Sequence, residues 1–118
     1  MAESEGEIAR DVLDIRKALD MMGDDEDLLR EALAIFMADL PRKLEELRHG
    51  LRDNDLERVK RAAHTLKGAS ASICAENVRG ISQKMEESAL SGDLDAVSQS
   101  TPQLEQELKK LAAAITLQ

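Results

Sequence analysis

The sequence predicts an all-α fold, an antiparallel up-down four-helix bundle with a short additional helix at its N-terminal end. Three observations predict it. Helix-forming residues such as Ala, Leu, Glu and Lys dominate the 118 residues, whereas the aromatic residues that favour strands number one. Apolar residues recur at helical spacing in five segments. Short turns containing Gly, Asp or Asn separate these segments, and short connections place consecutive helices antiparallel.

Length and charge restrict the class of protein. We expect one domain over residues 1–118, with residues 1–6 as a disordered leader. A formal charge of −8 argues against nucleic acid or an anionic membrane as partner, because both attract basic surfaces. No apolar run approaches the roughly 20 residues that span a bilayer. The single cysteine, Cys74, excludes an internal disulfide and fits a cytoplasmic protein.

The first two predicted helices cover the N-terminal half of the chain. Helical spacing predicts the first helix from apolar residues that end at Gly23: Ile8, Val12, Ile15, Leu19 and Met22. The second is predicted over residues 25–49, with a kink at Pro41 and an end at His49–Gly50. We expect the short first helix to cover the bundle as a lid.

Three further helices follow. Residues 53–55 (sequence DND) form a turn that offers an N-cap to a helix over residues 56–73. The predicted core side of this helix comprises five apolar residues: Val59, Ala62, Leu66, Ala69 and Ile73. A fourth helix is predicted over residues 76–90. The last begins near residue 94 and carries a kink or a restart at Thr101–Pro102.

The third predicted helix places His64 on the face opposite its core side. Small or cationic residues share that face: Lys60, Arg61, Lys67, Gly68 and Ala71. A glycine inside a helix costs about 1 kcal/mol relative to alanine, and Gly68 leaves the ring uncovered one turn away. Neighbouring cations favour a neutral, nucleophilic ring. The alternative is a solvated face on which the histidine is incidental.

This constellation suits a group carrier better than a complete enzyme. An accessible histidine among cations can hold a transferred phosphoryl group, because the cations compensate its charge. The sequence has no glycine-rich phosphate loop and no HExxH or similar zinc spacing, so a metal and a nucleotide would have to come from a partner. We interpret Cys74 as a small buried residue and His49 as a helix-end residue.

The segment AAHTLKGASASI, residues 62–73, resembles the signature of histidine-containing phosphotransfer (HPt) domains. The preceding segment from Gly23, with its DLP sequence and acidic turn, is similar to the same family. This resemblance implies that His64 is the phosphoacceptor, that Lys67 neutralises the phosphoryl group and that Gly68 leaves room for the partner. The family often has glycine in the turn after this helix, where the present chain has Cys74.

The resemblance also implies a docking surface around the ring. We expect it to include six residues: Lys60, Arg61, Gly68, Ala71, Gln83 and Glu86. An acid at Glu86 would orient the ring but repel the phosphoryl group.

The implied partners are receiver domains of response regulators and a sensor histidine kinase, with Mg²⁺ bound in the receiver and no cofactor in this chain. The implied function is a phosphoryl carrier without kinase activity, monomeric and cytoplasmic. Two alternatives stay open. One is the excised HPt domain of a larger hybrid or chemotaxis-type kinase, and the other is a helical adaptor that binds partners without chemistry.

Overall fold

The computed structural model describes residues 9–118, which form helices and turns and contain no strand. The helices are α1 (Ile15–Met21), α2 (Glu26–Arg52), α3 (Leu56–Ser72), α4 (Glu76–Leu90) and α5 (Leu94–Thr116). Consecutive long helices pack against each other, α2 on α3, α3 on α4 and α4 on α5, and α1 lies against α2. The predicted all-α bundle with a short N-terminal helix is therefore confirmed. The predicted leader, residues 1–6, and Ile8 lie outside the described residues.

The first helix is shorter than predicted, because it begins at Ile15. Asp14 is its N-cap, and the carboxylate of Asp14 accepts a hydrogen bond from the backbone N–H of Lys17 at 3.0 Å. The chain before the helix binds the turn between α3 and α4. The Asp14 N–H donates to the Cys74 carbonyl at 3.0 Å, and the Asn77 N–H donates to the Asp11 carbonyl at 2.7 Å. These tertiary bonds use backbone groups that a longer helix would have paired internally.

The ends of the helices are marked by capping residues and a glycine, some of which the sequence predicted. Asp55 accepts a hydrogen bond from the Arg58 N–H at 3.1 Å, so the predicted N-cap in the 53–55 turn is confirmed. Gly23, with φ +66°, ends the first helical segment as predicted. α5 continues through Pro102, and the predicted restart there is wrong. Both Pro102 and Pro41 are exposed, and each removes one backbone hydrogen bond from its helix.

The predicted end of α2 at His49–Gly50 is wrong, since the helix continues to Arg52. Gly50 is buried, and a Cβ added there would lie 2.9 Å from Val59 Cγ2 and 3.0 Å from the Val59 nitrogen. The glycine therefore permits close packing of α2 on α3. The His49 ring lies 2.9 Å from the Glu45 carboxylate.

The core side of α3 differs in part from the prediction. Val59, Leu66 and the C-cap Ile73 are buried as expected, whereas Ala62 and Ala69 are only half-buried. Ala63 and Ser70 are fully covered instead. The reason is that α3 packs against two helices, α2 and α4, so its covered arc is wider than one apolar stripe.

Among residues 9–118, no helix combines the length and the apolar character needed to cross a membrane.

Two glycine substitutions should have opposite effects on stability. Gly50→Ala forces a methyl group against Val59 and should lower the free energy of unfolding by about 1–3 kcal/mol. Gly80→Ala, in α4, meets nothing within 4 Å and should raise it by up to about 1 kcal/mol through helix propensity. Urea denaturation of both variants checks this, and a Gly50→Ala variant as stable as the wild type would contradict the close packing.

Candidate functional site

His64 lies in the middle of α3 with its side chain 66% exposed. The residues predicted to share its face are also accessible: Arg61, Gly68 and Ala71 are exposed, and Lys60 and Lys67 are half-buried. The ring is held by the neighbouring helix. Its Nδ1 lies 2.6 Å from Oε2 of Glu86 on α4. The structure thus brings together His64 and Glu86, a pair separated by 22 positions in the sequence.

The Glu86 carboxylate bridges two groups of α3. Its second oxygen, Oε1, accepts a hydrogen bond from the Lys67 ammonium at 2.6 Å. The pKa of Glu86 lies below its ordinary value, first because of the hydrogen bond from Lys67, and then because of the contact with His64, against the opposing effect of partial burial. Glu86 is therefore an ionised acceptor between an imidazole and an ammonium.

This contact determines which ring nitrogen is available for chemistry. A carboxylate only accepts hydrogen bonds, so Nδ1 of His64 must carry the hydrogen that it donates to Glu86. In the neutral ring the lone pair then lies on Nε2, the nitrogen that Glu86 does not contact. The geometry therefore presents Nε2 as a nucleophile on an exposed helix face.

The cations around the ring are not equivalent. Lys67 is engaged by Glu86, and Lys60 lies 3.3 Å from a carboxylate oxygen of Glu57. Arg61 has no ion pair and no side-chain hydrogen bond to any residue between 9 and 118. Two of the three cations on the predicted basic face, Lys60 and Lys67, are thus paired with acids. Arg61 is the third, and it has no ion pair within residues 9–118.

Gln83 is not bound to the ring. Its carbonyl oxygen accepts from Arg79 at 2.7 Å, and its amide donates to Glu87 at 3.3 Å. Arg79 also forms two bonds of 2.6 Å to Glu76, and the pKa of Glu76 is lowered by that interaction. These polar contacts run along α4 from Glu76 to Glu87, the residue that follows Glu86. Sequence reasoning missed Arg79, although its spacing from Glu76 and Gln83 is that of helical neighbours.

Gly68 leaves open space beside the site. A Cβ added to it would have no neighbouring atom within 4 Å, and the residue is exposed. The space beside Gly68 is therefore not filled by any residue between 9 and 118.

Cys74 occupies the turn after α3 in a left-handed conformation, with φ +61°. Such a conformation costs a residue other than glycine roughly 1–2 kcal/mol. The turn is nevertheless closed by backbone bonds, with the Ala75 N–H donating to the Ser70 carbonyl at 2.9 Å. Cys74 is buried, as expected, and its thiol lies 3.4 Å from Sδ of Met21. Burial raises the pKa of the Cys74 thiol, which disfavours the reactive thiolate.

Replacing Glu86 should release the ring from a single tautomer. In Glu86→Gln the side-chain amide can donate or accept, so it no longer requires a hydrogen on Nδ1. At a pH where the ring is neutral, ¹⁵N–¹H NMR of the imidazole should show the Nδ1–H form in the wild type and a mixture of forms in the variant. Glu87→Gln is the matched control, since Glu87 does not contact the ring. A wild-type ring that carries its hydrogen on Nε2 would contradict the assignment.

Comparison with known proteins adds one finding. Residues 31–114 match the family model described as Hpt domain. The matched range includes α3, α4 and most of α2 and α5, and hence the whole His64–Glu86–Lys67 arrangement. No curated protein and no solved structure matches the chain.

Proposed function

We propose that this chain, which belongs to the Hpt domain family, accepts a phosphoryl group on His64 from a receiver-domain aspartate and passes it to a second receiver. Members of this family are phosphotransfer carriers in phosphorelays. The observation that carries the proposal is the exposed ring with Nδ1 bound to a carboxylate, which leaves the lone pair of the neutral ring on Nε2.

The chemistry needs no base from this chain. The Nε2 lone pair attacks the phosphorus of the aspartyl phosphate, an N–P bond forms, and the P–O bond to the aspartate breaks. The aspartate leaves as a carboxylate, and the hydrogen on Nδ1 remains hydrogen-bonded to Glu86. The ring then carries a formal positive charge beside the negative carboxylate, so Glu86 stabilises the phosphorylated ring. Attack by a second receiver's aspartate reverses these steps and restores the neutral ring.

Lys67 supplies a positive charge that shares the Glu86 carboxylate with the ring. Lys67 follows His64 by three residues, about one helical turn, and its ammonium is already held by Glu86. We infer that it also contacts the phosphoryl oxygens during transfer, where a cation stabilises the developing charge. Gly68, Ala71, Lys60 and Arg61 belong to the surface on which the receiver docks.

We assign no cofactor and no kinase activity to the chain itself. Within residues 9–118, no group of three His, Cys, Asp or Glu side chains is placed to hold a metal ion. The Mg²⁺ that receiver chemistry uses would come with the receiver. We propose a monomeric cytoplasmic carrier consisting of one domain over residues 1–118. The same surface would serve an HPt domain joined to a larger histidine kinase.

Phosphoryl transfer to His64 is the direct test. We expect the wild type, incubated with a panel of phosphorylated receiver domains and Mg²⁺, to acquire phosphate that is labile to acid and stable to base. His64→Gln should abolish this labelling. His49→Gln, which removes the chain's other histidine, is the matched control and should be labelled like the wild type. Equal labelling of His64→Gln would refute His64 as the acceptor, and no labelling of the wild type by any receiver would refute the carrier function and favour an adaptor.

The open space at Gly68 should matter for transfer rather than for folding. We expect Gly68→Gln to slow transfer by about tenfold or more, because its side chain would lie where the receiver approaches. Gly68→Ala is the control. Its methyl group meets nothing within 4 Å, so transfer should continue and the free energy of unfolding should rise by up to about 1 kcal/mol. A Gly68→Gln variant that transfers at the wild-type rate would show that Gly68 does not leave room for the receiver.

A further inference from the structure

A second surface feature lies between α2 and α3, next to His64. It is an open cavity of about 320 Å³. Four of its lining side chains are cations and one is an acid: Arg42, Lys43, Arg58 and Arg61, with Glu46. We call this cavity the basic groove. An excess of three positive charges is unusual on a chain whose net charge is −8.

Only part of this charge is compensated within the described residues. Arg58 forms a two-pronged ion pair with Glu46, at 2.8 and 3.1 Å. Arg42 and Lys43 come no closer than 3.6 and 3.7 Å to Asp39, beyond good hydrogen-bond distance. Arg61 has no such contact to residues 9–118. The groove therefore retains cationic donors that an external acid can bind.

The position of the groove connects it to the site. Arg61 precedes His64 by three residues and Thr65 follows it directly, and both line the groove. The ring itself is bound to α4 through Glu86, so the groove lies on the other flank of α3. A typical protein partner buries about 800 Å² of each surface. A receiver centred on His64 would therefore extend over the groove.

We propose that the basic groove binds acidic side chains of the receiver domain that docks on His64, and that it selects among receivers on this basis. This inference rests on the proposed function. A protein surface is favoured over a small anion because the groove is open, and Arg42 is 78% exposed rather than enclosed around a ligand. The acidic remainder of the chain repels an acidic partner, so the groove also fixes where such a partner attaches.

The physical role of the groove predicts a particular kinetic effect. Charges at the edge of an interface mainly change the rate of association and its dependence on salt. Arg42 and Lys43 belong to α2 and have no hydrogen bond with His64 or Glu86. Their removal should weaken docking and leave the chemical step unchanged.

Transfer kinetics provide the first test. With a receiver that labels the wild type, Arg42→Gln/Lys43→Gln should raise the protein concentration for half-maximal transfer about fivefold, with the same maximal rate and a weaker dependence on salt. The matched control, Arg16→Gln/Lys109→Gln, removes two exposed cations on α1 and α5 and should behave like the wild type. Because Lys43 is largely covered, Arg42→Gln alone is measured too, and it should show a smaller shift in the same direction. An unchanged half-maximal concentration in both groove variants would overturn the proposal.

Direct binding separates this proposal from the proposed function. In ¹⁵N NMR titrations, a hexaglutamate peptide should shift the amides of Arg61, Ala62 and Thr65 in the wild type and in the control variant, and should bind about fivefold more weakly in Arg42→Gln/Lys43→Gln. Inorganic phosphate should shift them more weakly. If phosphate binds as tightly as hexaglutamate or more tightly, the occupant of the groove is a small anion and not an acidic protein segment. If hexaglutamate does not bind, the proposal that the groove binds acidic side chains is wrong.

The two failures are distinguishable. If His64 is labelled but the groove variants change neither transfer nor hexaglutamate binding, the groove proposal alone is wrong. If hexaglutamate binds in the groove but no receiver labels His64, the carrier function is wrong, and the assignment of a receiver as occupant fails with it.

Discussion

The Glu86 carboxylate is the interaction on which the rest of the site depends. Its two oxygens lie 2.6 Å from the imidazole Nδ1 of His64 and 2.6 Å from the ammonium of Lys67. One group on α4 thus fixes the tautomer of the ring and holds the cation beside it. Without this acceptor, His64 would be an exposed histidine whose hydrogen has no fixed position. The contact that fixes the tautomer exists because α3 and α4 are held in one register.

The packing around the α3–α4 turn maintains that register. Ser70 and Ser82 are fully buried, and small side chains allow two helices to approach closely. Cys74 takes the left-handed conformation that reverses the chain, and the backbone of Asp11 and Asp14 binds both sides of this turn. Residues 11–14 therefore connect this turn to the rest of the bundle through backbone hydrogen bonds. The exposed site depends on buried contacts at the end of the helices.

Much of the fold follows from the sequence, because hydrophobic periodicity and turn residues are local signals. The bounds of α4 agree with the prediction, and those of α3 differ by one residue. The errors occur where a tertiary contact overrides the local signal. Residues 11–14 bind another element instead of extending α1, and Gly50 lies inside α2 because α3 approaches it closely. Local reasoning has no access to either neighbour.

By itself, the sequence determined that His64 faces away from the core among small and basic residues, because a helical period of 3.6 residues fixes which side chains share a face. The family resemblance placed Glu86 near the ring, but only the tertiary structure decided which atoms of the ring and of Lys67 it contacts. The contact of Glu86 with His64 and Lys67 depends on how far α4 slides along α3, which no spacing within one helix encodes. The same holds for Gly50 and Gly68. Both are glycines within helices, and only the distance to the neighbouring helix makes one a packing residue and leaves the other facing open space.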